Sequence, residues 1–169
     1  MIATLVAILL CAVGAAAPEN GPPPSLGMGL PRLVLPDLHG QPYELTAVDS
    51  PVLVLNLWAF WCDTWKEQLP QLRELAAQQE KLGFRLVAVS VDGAWTGVFW
   101  EHCGAEGVAF PVLLDVRRQL ATSFGLRVVP TVLVLDRQRR VRYVHEAYPG
   151  NPVVLQSIRR AASQAPQGE

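Results

Sequence analysis

Asn56-Leu57-Trp58-Ala59-Phe60-Trp61-Cys62-Asp63-Thr64-Trp65 is the stretch on which the reading of this chain turns. It grows out of Val52 to Leu57, a run of valine and leucine interrupted only by Asn56 and typical of a strand buried on both faces. Beyond it, Asp63 to Leu82 carries Leu69, Leu72, Leu75, Ala76 and Leu82 at helical spacing, with Gly83 as the stop. Pro70 lies inside that pattern and predicts a kink. A buried strand therefore runs directly into a helix, and Cys62 falls at the helix start. Unpaired backbone N–H groups and the helix dipole favour negative charge there. The sulfur is thus expected as a thiolate, the form that attacks disulfides or peroxides.

Strand and helix patterns alternate on either side. Leu33 to Leu35, the turn Asp37-Leu38-His39-Gly40 and Tyr43 to Leu45 predict a short hairpin. Phe84 to Val91 predicts a second buried strand, and Trp95 to Cys103 a helix ended by Gly104. Arg118 to Phe124 predicts a short helix stopped by Gly125. Val132 to Leu135 and Val141 to His145 predict a hairpin around Asp136 to Arg140, and Pro152 to Ala162 a closing helix. The expected fold is α/β, a mixed β-sheet with helices on both faces.

The 169 residues suit one domain, and a net charge of −1 gives no electrostatic case for nucleic acid or an anionic membrane surface. Ile2 to Val13 is an apolar run too short to span a bilayer comfortably, followed by the small residues Gly14 to Ala17. Residues 1–17 therefore read as a cleaved export signal, with an uncleaved N-terminal anchor second and lipidation at Cys11 third. The expected boundaries continue with a flexible linker over 18–31, a domain over 32–163 and a tail over 164–169. In an oxidising compartment the remaining thiols, Cys62 and Cys103, are the minimum for one disulfide.

The segment Asn56 to Trp65 resembles the active site of the thioredoxin superfamily, and within it the exported TlpA-type redoxins (AhpC/TSA-like), which read roughly N-F-W-A-x-W-C-x-x-C. The resemblance continues at Phe124-Gly125-Leu126-Arg127-Val128-Val129-Pro130-Thr131 and in the early hairpin, and it spans about Leu33 to Ala162. It implies a thioredoxin-like sheet, Cys62 as the catalytic cysteine and Pro130 as a cis-proline beside it. It also implies that Val129 offers backbone hydrogen bonds to an extended substrate. Trp61 and Trp65 flank the thiol and are expected to give that substrate an apolar landing surface, with Trp65 reading equally as a residue that fills space. The location implied is periplasmic or otherwise extracytoplasmic.

Two departures stand out. Trp65 occupies the place of the family's second, resolving cysteine, which leaves a degenerate C-x-x-W site. Gln68 stands where these proteins often carry a buried glutamate. An amide moves no protons at ordinary pH. The first functional expectation is an exported thiol-disulfide oxidoreductase working through Cys62 alone, with its mixed disulfide resolved by an outside thiol. The second is a thiol peroxidase-like activity, because Cys103-Gly104-Ala105-Glu106-Gly107 resembles the resolving-cysteine segment of bacterial thiol peroxidases. The third is a redox-inactive peptide-binding module. The implied partner is a protein or small molecule bearing a thiol or disulfide; oligomeric state is not legible.

No nucleotide, flavin or metal motif is present in the sequence, and sulfur chemistry needs no cofactor. His102 beside Cys103 makes no metal pair, since adjacent helical residues point apart. Arg137, Arg139, Arg140 and Arg142 read as a solvated edge that discourages sheet-to-sheet pairing. Asp63 and Lys66 flank the cysteine with opposite charges.

Overall fold

The computed structural model describes residues 23–92 and 108–163, together with Gly97 and Glu101. Cys11, Cys103 and most of the helix expected over Trp95 to Cys103 lie outside the described residues.

Leu35 is buried between exposed Val34 and half-buried Pro36 in β1 (Val34–Pro36), which pairs antiparallel with β2 (Pro42–Glu44). The turn between them is closed by Asp37, whose Oδ1 accepts the N–H groups of His39 and Gln41 at 2.8 and 2.9 Å. Gly40 supplies the positive φ of +76° that this turn requires. A short 3-10 turn (Leu45–Ala47) leads to β3 (Val52–Trp58), every residue of which is buried. Because side chains alternate along a strand, Val52, Val54 and Trp58 enter one core while Leu53, Leu55 and Leu57 enter the other. β3 is thus the central strand of a two-faced sheet.

The long helix expected over 63–82 is two pieces, α1 (Thr64–Ala76) and α2 (Gln79–Leu82), and Pro70 sits inside α1. The interruption falls at Ala77 and Gln78, where Gln78 N–H bonds Leu75 O at 3.0 Å. It re-aims the chain so that Gln79 Oε1 accepts the N–H of Leu86 at 2.7 Å. That N–H belongs to β4 (Phe84–Ser90) at a level where the neighbouring strand is too short to reach it. Gly83, with φ +67°, ends α2 as expected.

Parallel strands β3, β4 and β5 (Val112–Leu114) make three of the five strands of the main sheet. The chain then forms α3 (Gln119–Ser123), whose first turn is capped by the Asp115 carboxylate accepting from Gln119 and Ala121 N–H. β6 (Thr131–Leu135) pairs antiparallel with β3, and β7 (Val141–Glu146) with β6, giving the order β5-β4-β3-β6-β7. α4 (Asn151–Ser163) closes the fold. α1 and α4 cover one face; the β1–β2 hairpin and α3 cover the other. The architecture is the mixed α/β sheet with helices on both faces that the sequence implied.

Two expectations are corrected. Residues 18–31 read as linker, but Gly27 N–H bonds Val141 O at 2.7 Å, Val141 N–H bonds Met28 O and Leu30 N–H bonds Arg139 O, both at 2.8 Å. Leu30 also enters the core with Met28 packed against it, two apolar residues too few to make a readable period. The arginines are also more than a solvated edge. Arg139, held at φ +60°, donates Nη1 to Ser50 O and Asp136 O at 3.1 Å, and Nη2 to Val48 O. Arg142 Nε meets the buried Asp136 carboxylate at 2.6 Å. These side chains lock the β6–β7 turn to the start of β3.

His145 on β7 meets Ser157 Oγ of α4 through Nε2 at 3.0 Å. Burial holds this imidazole below its ordinary value of 6.5, because the charged ring is poorly solvated. The unfolded chain therefore binds a proton first as pH falls, so His145 costs stability below about pH 6.5 and nothing above it. His145→Gln is expected to flatten that part of the profile, measured as the difference in thermal midpoint between about pH 7.5 and about pH 5.5.

Candidate active site

The β3–α1 junction supplies the thiol. Cys62 N–H bonds Ala59 O at 3.2 Å, Trp65 N–H bonds Cys62 O at 3.3 Å, and Asp63 stands at the helix N-cap position. These bonds fix a tight turn that presents Cys62 half-buried, as a free cysteine. Because β6 is the antiparallel neighbour of β3, with Leu57 opposite Thr131, the loop entering β6 comes back beside this turn. Val129–Pro130 in that loop is a cis peptide bond. Cys62 Sγ lies 4.0 Å from Val129 O and 3.1 Å from Thr64 Oγ1. Thr131 Oγ1 donates to Val128 O at 2.7 Å and braces the loop from within.

The structure thus brings Cys62, Val129 and Pro130 together. It separates the two tryptophans. Trp61 is 70% exposed beside the thiol, while Trp65 is 4% exposed and packed in the core. The expectation that Trp65 joins a landing surface is therefore corrected. Its ring lies 5.3 Å from Trp58 and 6.0 Å from Phe60, centroid to centroid, beneath the active turn. The exposed apolar neighbour of the site is instead Val128, at 42%. Val129 and Pro130 are half-buried. Cys103 lies outside the described residues, so its relation to Cys62 stays an expectation.

Sequence reasoning missed Asp92. Its Oδ2 accepts the N–H groups of Phe60 and Trp61 at 2.8 and 3.3 Å, and Ser90 Oγ donates to its Oδ1 at 2.6 Å. β3 and β4 are parallel with Trp58 opposite Ser90, so the residue two beyond the end of β4 meets the residues two and three beyond the end of β3. Asp92→Ala is expected to leave both N–H groups without this acceptor and to cost about 2 kcal/mol in denaturant unfolding. Thiol reactivity at Cys62 should fall with it, since the turn loses its brace.

Gln68 on α1 is buried, and its Nε2 donates to Asn56 Oδ1 of β3 at 3.2 Å. The Lys66–Asp63 ion pair at 3.0 Å is exposed at the carboxylate and contributes little to stability. Among the described residues there is no group of three side chains that could hold a metal ion.

The AhpC/TSA family model matches residues 26–144. The chain is 28% identical to thiol-disulfide oxidoreductase ResA of Geobacillus thermodenitrificans (strain NG80-2) over 120 residues, covering 71% of this chain and 68% of that protein. It is 29% identical to ResA of Bacillus subtilis (strain 168) over 117 residues, covering 69% and 65%. The chain thus spans about two thirds of the length of these relatives. A structure from Chlorobium tepidum assigned as a thiol:disulfide interchange protein DsbE superposes with a TM-score of 0.70 at 26% identity, over 83% of this chain and 99% of that one. StoA from Bacillus subtilis, at 18% identity and a TM-score of 0.63 over 76% and 96%, shares the fold.

Proposed function

This chain belongs to the AhpC/TSA family, and from that premise we propose that it is a thiol-disulfide oxidoreductase working through the single active-site cysteine Cys62. The observation that carries the reading is the meeting of Cys62 Sγ with the cis Val129–Pro130 loop, next to the exposed Trp61. The Cys62 thiolate attacks one sulfur of a substrate disulfide. The substrate S–S bond breaks, a Cys62–substrate disulfide forms, and the other substrate sulfur leaves as a thiolate. Trp65 has no sulfur, so release falls to a second thiolate from solution. It attacks the substrate sulfur of the mixed disulfide, takes over the bond and returns Cys62 as a thiolate. Val129 and Pro130 line the entry and align an extended substrate against the sulfur.

The partner is a protein or small molecule bearing a disulfide or thiol. The apolar run Ile2 to Val13 supports a place outside the cytoplasm. No helix among the described residues is long and apolar enough to cross a membrane.

Treating the folded, reduced Cys103→Ser protein with glutathione disulfide should add one glutathione at Cys62, mapped by peptide mass and removed by dithiothreitol. A further Cys62→Ser change should abolish that adduct. If Cys62 takes up glutathione only after unfolding, the oxidoreductase reading fails and a peptide-binding module remains. If peroxide instead joins Cys62 to Cys103 in the unaltered chain, the peroxidase reading replaces it.

A further inference from the structure

Among the described residues, Cys62 Sγ meets two oxygen atoms, and they pull it in opposite directions. Thr64 Oγ1 lies 3.1 Å away and Val129 O lies 4.0 Å away. A carbonyl oxygen only accepts, so Val129 O meets the sulfur favourably only while that sulfur carries a proton. The threonine hydroxyl can accept from a thiol or donate to a thiolate, and the second bond is charge-assisted and roughly twice as strong. The nearer neighbour is therefore the one that favours the anion.

The local sequence turns this hydroxyl toward the sulfur. Thr64 opens α1, so no earlier helical turn offers its side chain a carbonyl to bond. Asp63, the residue between, reaches Lys66 at 3.0 Å instead. The other charged groups on the elements that meet at the thiol are Glu67 of α1, Asp92 after β4 and Arg127 of the cis-proline loop. Both oxygens of Asp92 are occupied, by the Phe60 and Trp61 N–H groups and by Ser90 Oγ. Among the described residues none of these charged side chains bonds the sulfur, and the Thr64 hydroxyl does.

Resting on the single-cysteine reading above, we propose that Thr64 is a second catalytic residue, whose hydroxyl donates to the Cys62 sulfur whenever that sulfur carries negative charge. This occurs twice in a cycle. Before attack, the hydroxyl holds the free thiolate. On release, the outside thiolate bonds the substrate sulfur, the bond from that sulfur to Cys62 breaks, and its electron pair stays on Cys62 Sγ as the leaving thiolate. The hydroxyl points its proton at the atom on which that charge collects, and the proton stays on oxygen throughout. Because position 65 holds tryptophan and brings no thiol of its own, release depends on how well Cys62 leaves.

Thr64→Val removes the hydroxyl and keeps the branched shape, Thr64→Ser keeps the hydroxyl, and Thr64→Ala reads the same loss should the valine variant not fold. The measurement is the rate at which iodoacetamide alkylates Cys62 in the folded full chain carrying Cys103→Ser, followed on the Cys62 peptide by mass. At about pH 6, Thr64→Val should react about fivefold more slowly than this parent, a modest factor because Thr64 is exposed to water. At about pH 10, where an ordinary cysteine is already ionised, it should react at least as fast, since a less stabilised thiolate is the better nucleophile. Thr64→Ser should follow the parent throughout, and the charged groups named above are common to all these proteins and cancel. Equal rates for Thr64→Val and the parent at about pH 6 overturn the proposal, and so does equal slowing at both ends of the range, the mark of a merely structural loss. Uptake of glutathione from glutathione disulfide, followed on the same proteins, separates the two levels. No uptake by the folded parent sinks the oxidoreductase reading and Thr64 as its catalyst together; uptake with equal alkylation sinks the role of Thr64 alone.

Discussion

Trp65→Cys is expected to give a protein that closes an internal disulfide with Cys62 and turns over as a dithiol reductase. The residue three positions after Cys62 is joined to it by the Trp65 N–H to Cys62 O bond, in a turn at the mouth of α1. That spacing brings the two Cα atoms within the roughly 4.4–6.8 Å that a disulfide spans. The new thiol would attack the Cys62 sulfur of a mixed disulfide, expel the substrate as a thiolate and leave an internal disulfide. This step is faster than capture of an outside thiol because both sulfurs belong to one turn.

The gain has a structural cost. Trp65 fills the core between Trp58, Phe60 and Leu69, and removing so large a buried side chain costs about 3–5 kcal/mol. A domain of this size has roughly 5–15 kcal/mol to lose, so the variant should fold with a lowered unfolding midpoint. Trp65→Ala separates the effects, since it suffers the same loss of packing and gains no sulfur. Insulin reduction with dithiothreitol as the electron source should therefore rise at least tenfold for Trp65→Cys over both Trp65→Ala and the unaltered chain. A folded Trp65→Cys variant that forms no internal disulfide, or reduces insulin no faster than Trp65→Ala, would falsify the placement of the site.

Trp65 could be read from the sequence either as a landing surface or as a space-filling residue, and the helical spacing favours the second. Trp65, Leu69, Leu72 and Ala76 recur at the spacing of one helical face, and all four lie in the same core. Trp61 precedes the helix, outside that face, and reaches solvent. Central strand β3 was legible because burial on both faces demands a nearly continuous apolar run, which Asn56 alone interrupts. The meeting of Cys62 with Val129 was not. It depends on β6 lying beside β3, a pairing between residues some 70 positions apart, and it entered only through a family resemblance. Asp92 escaped for the same reason. A single aspartate after a strand carries no pattern, and its role comes from the parallel register of two strands. Arg139 escaped because its work rests on a backbone at positive φ, which arginine as a residue type does not announce.

Gln68→Glu is expected to make stability depend steeply on pH where the unaltered protein has no dependence from this position. The glutamic acid is nearly the same shape as glutamine, and in its protonated form the O–H can donate to Asn56 Oδ1 as Gln68 Nε2 does. Ionisation removes that donor and places a full charge in a cavity walled by Trp58, Trp65 and Leu72. Burial of this kind raises a carboxyl by about 3 pH units, from about 4.3 in the unfolded chain to about 7 in the folded one. A raised folded value means the folded state holds its proton longer than the unfolded state does. The contribution is therefore whole below about pH 4 and is lost as pH rises through about 7, at close to 1.4 kcal/mol per unit. Relative to the unaltered chain, the variant should be nearly equal in stability at about pH 4 and lower by about 4 kcal/mol at about pH 8. Taking the difference between the two proteins removes the contribution of His145, which both share. Parallel stability curves across that range would mean that the carboxylate finds solvent, and with it that the space behind Trp65 is open and not the enclosed core that holds the active turn in place.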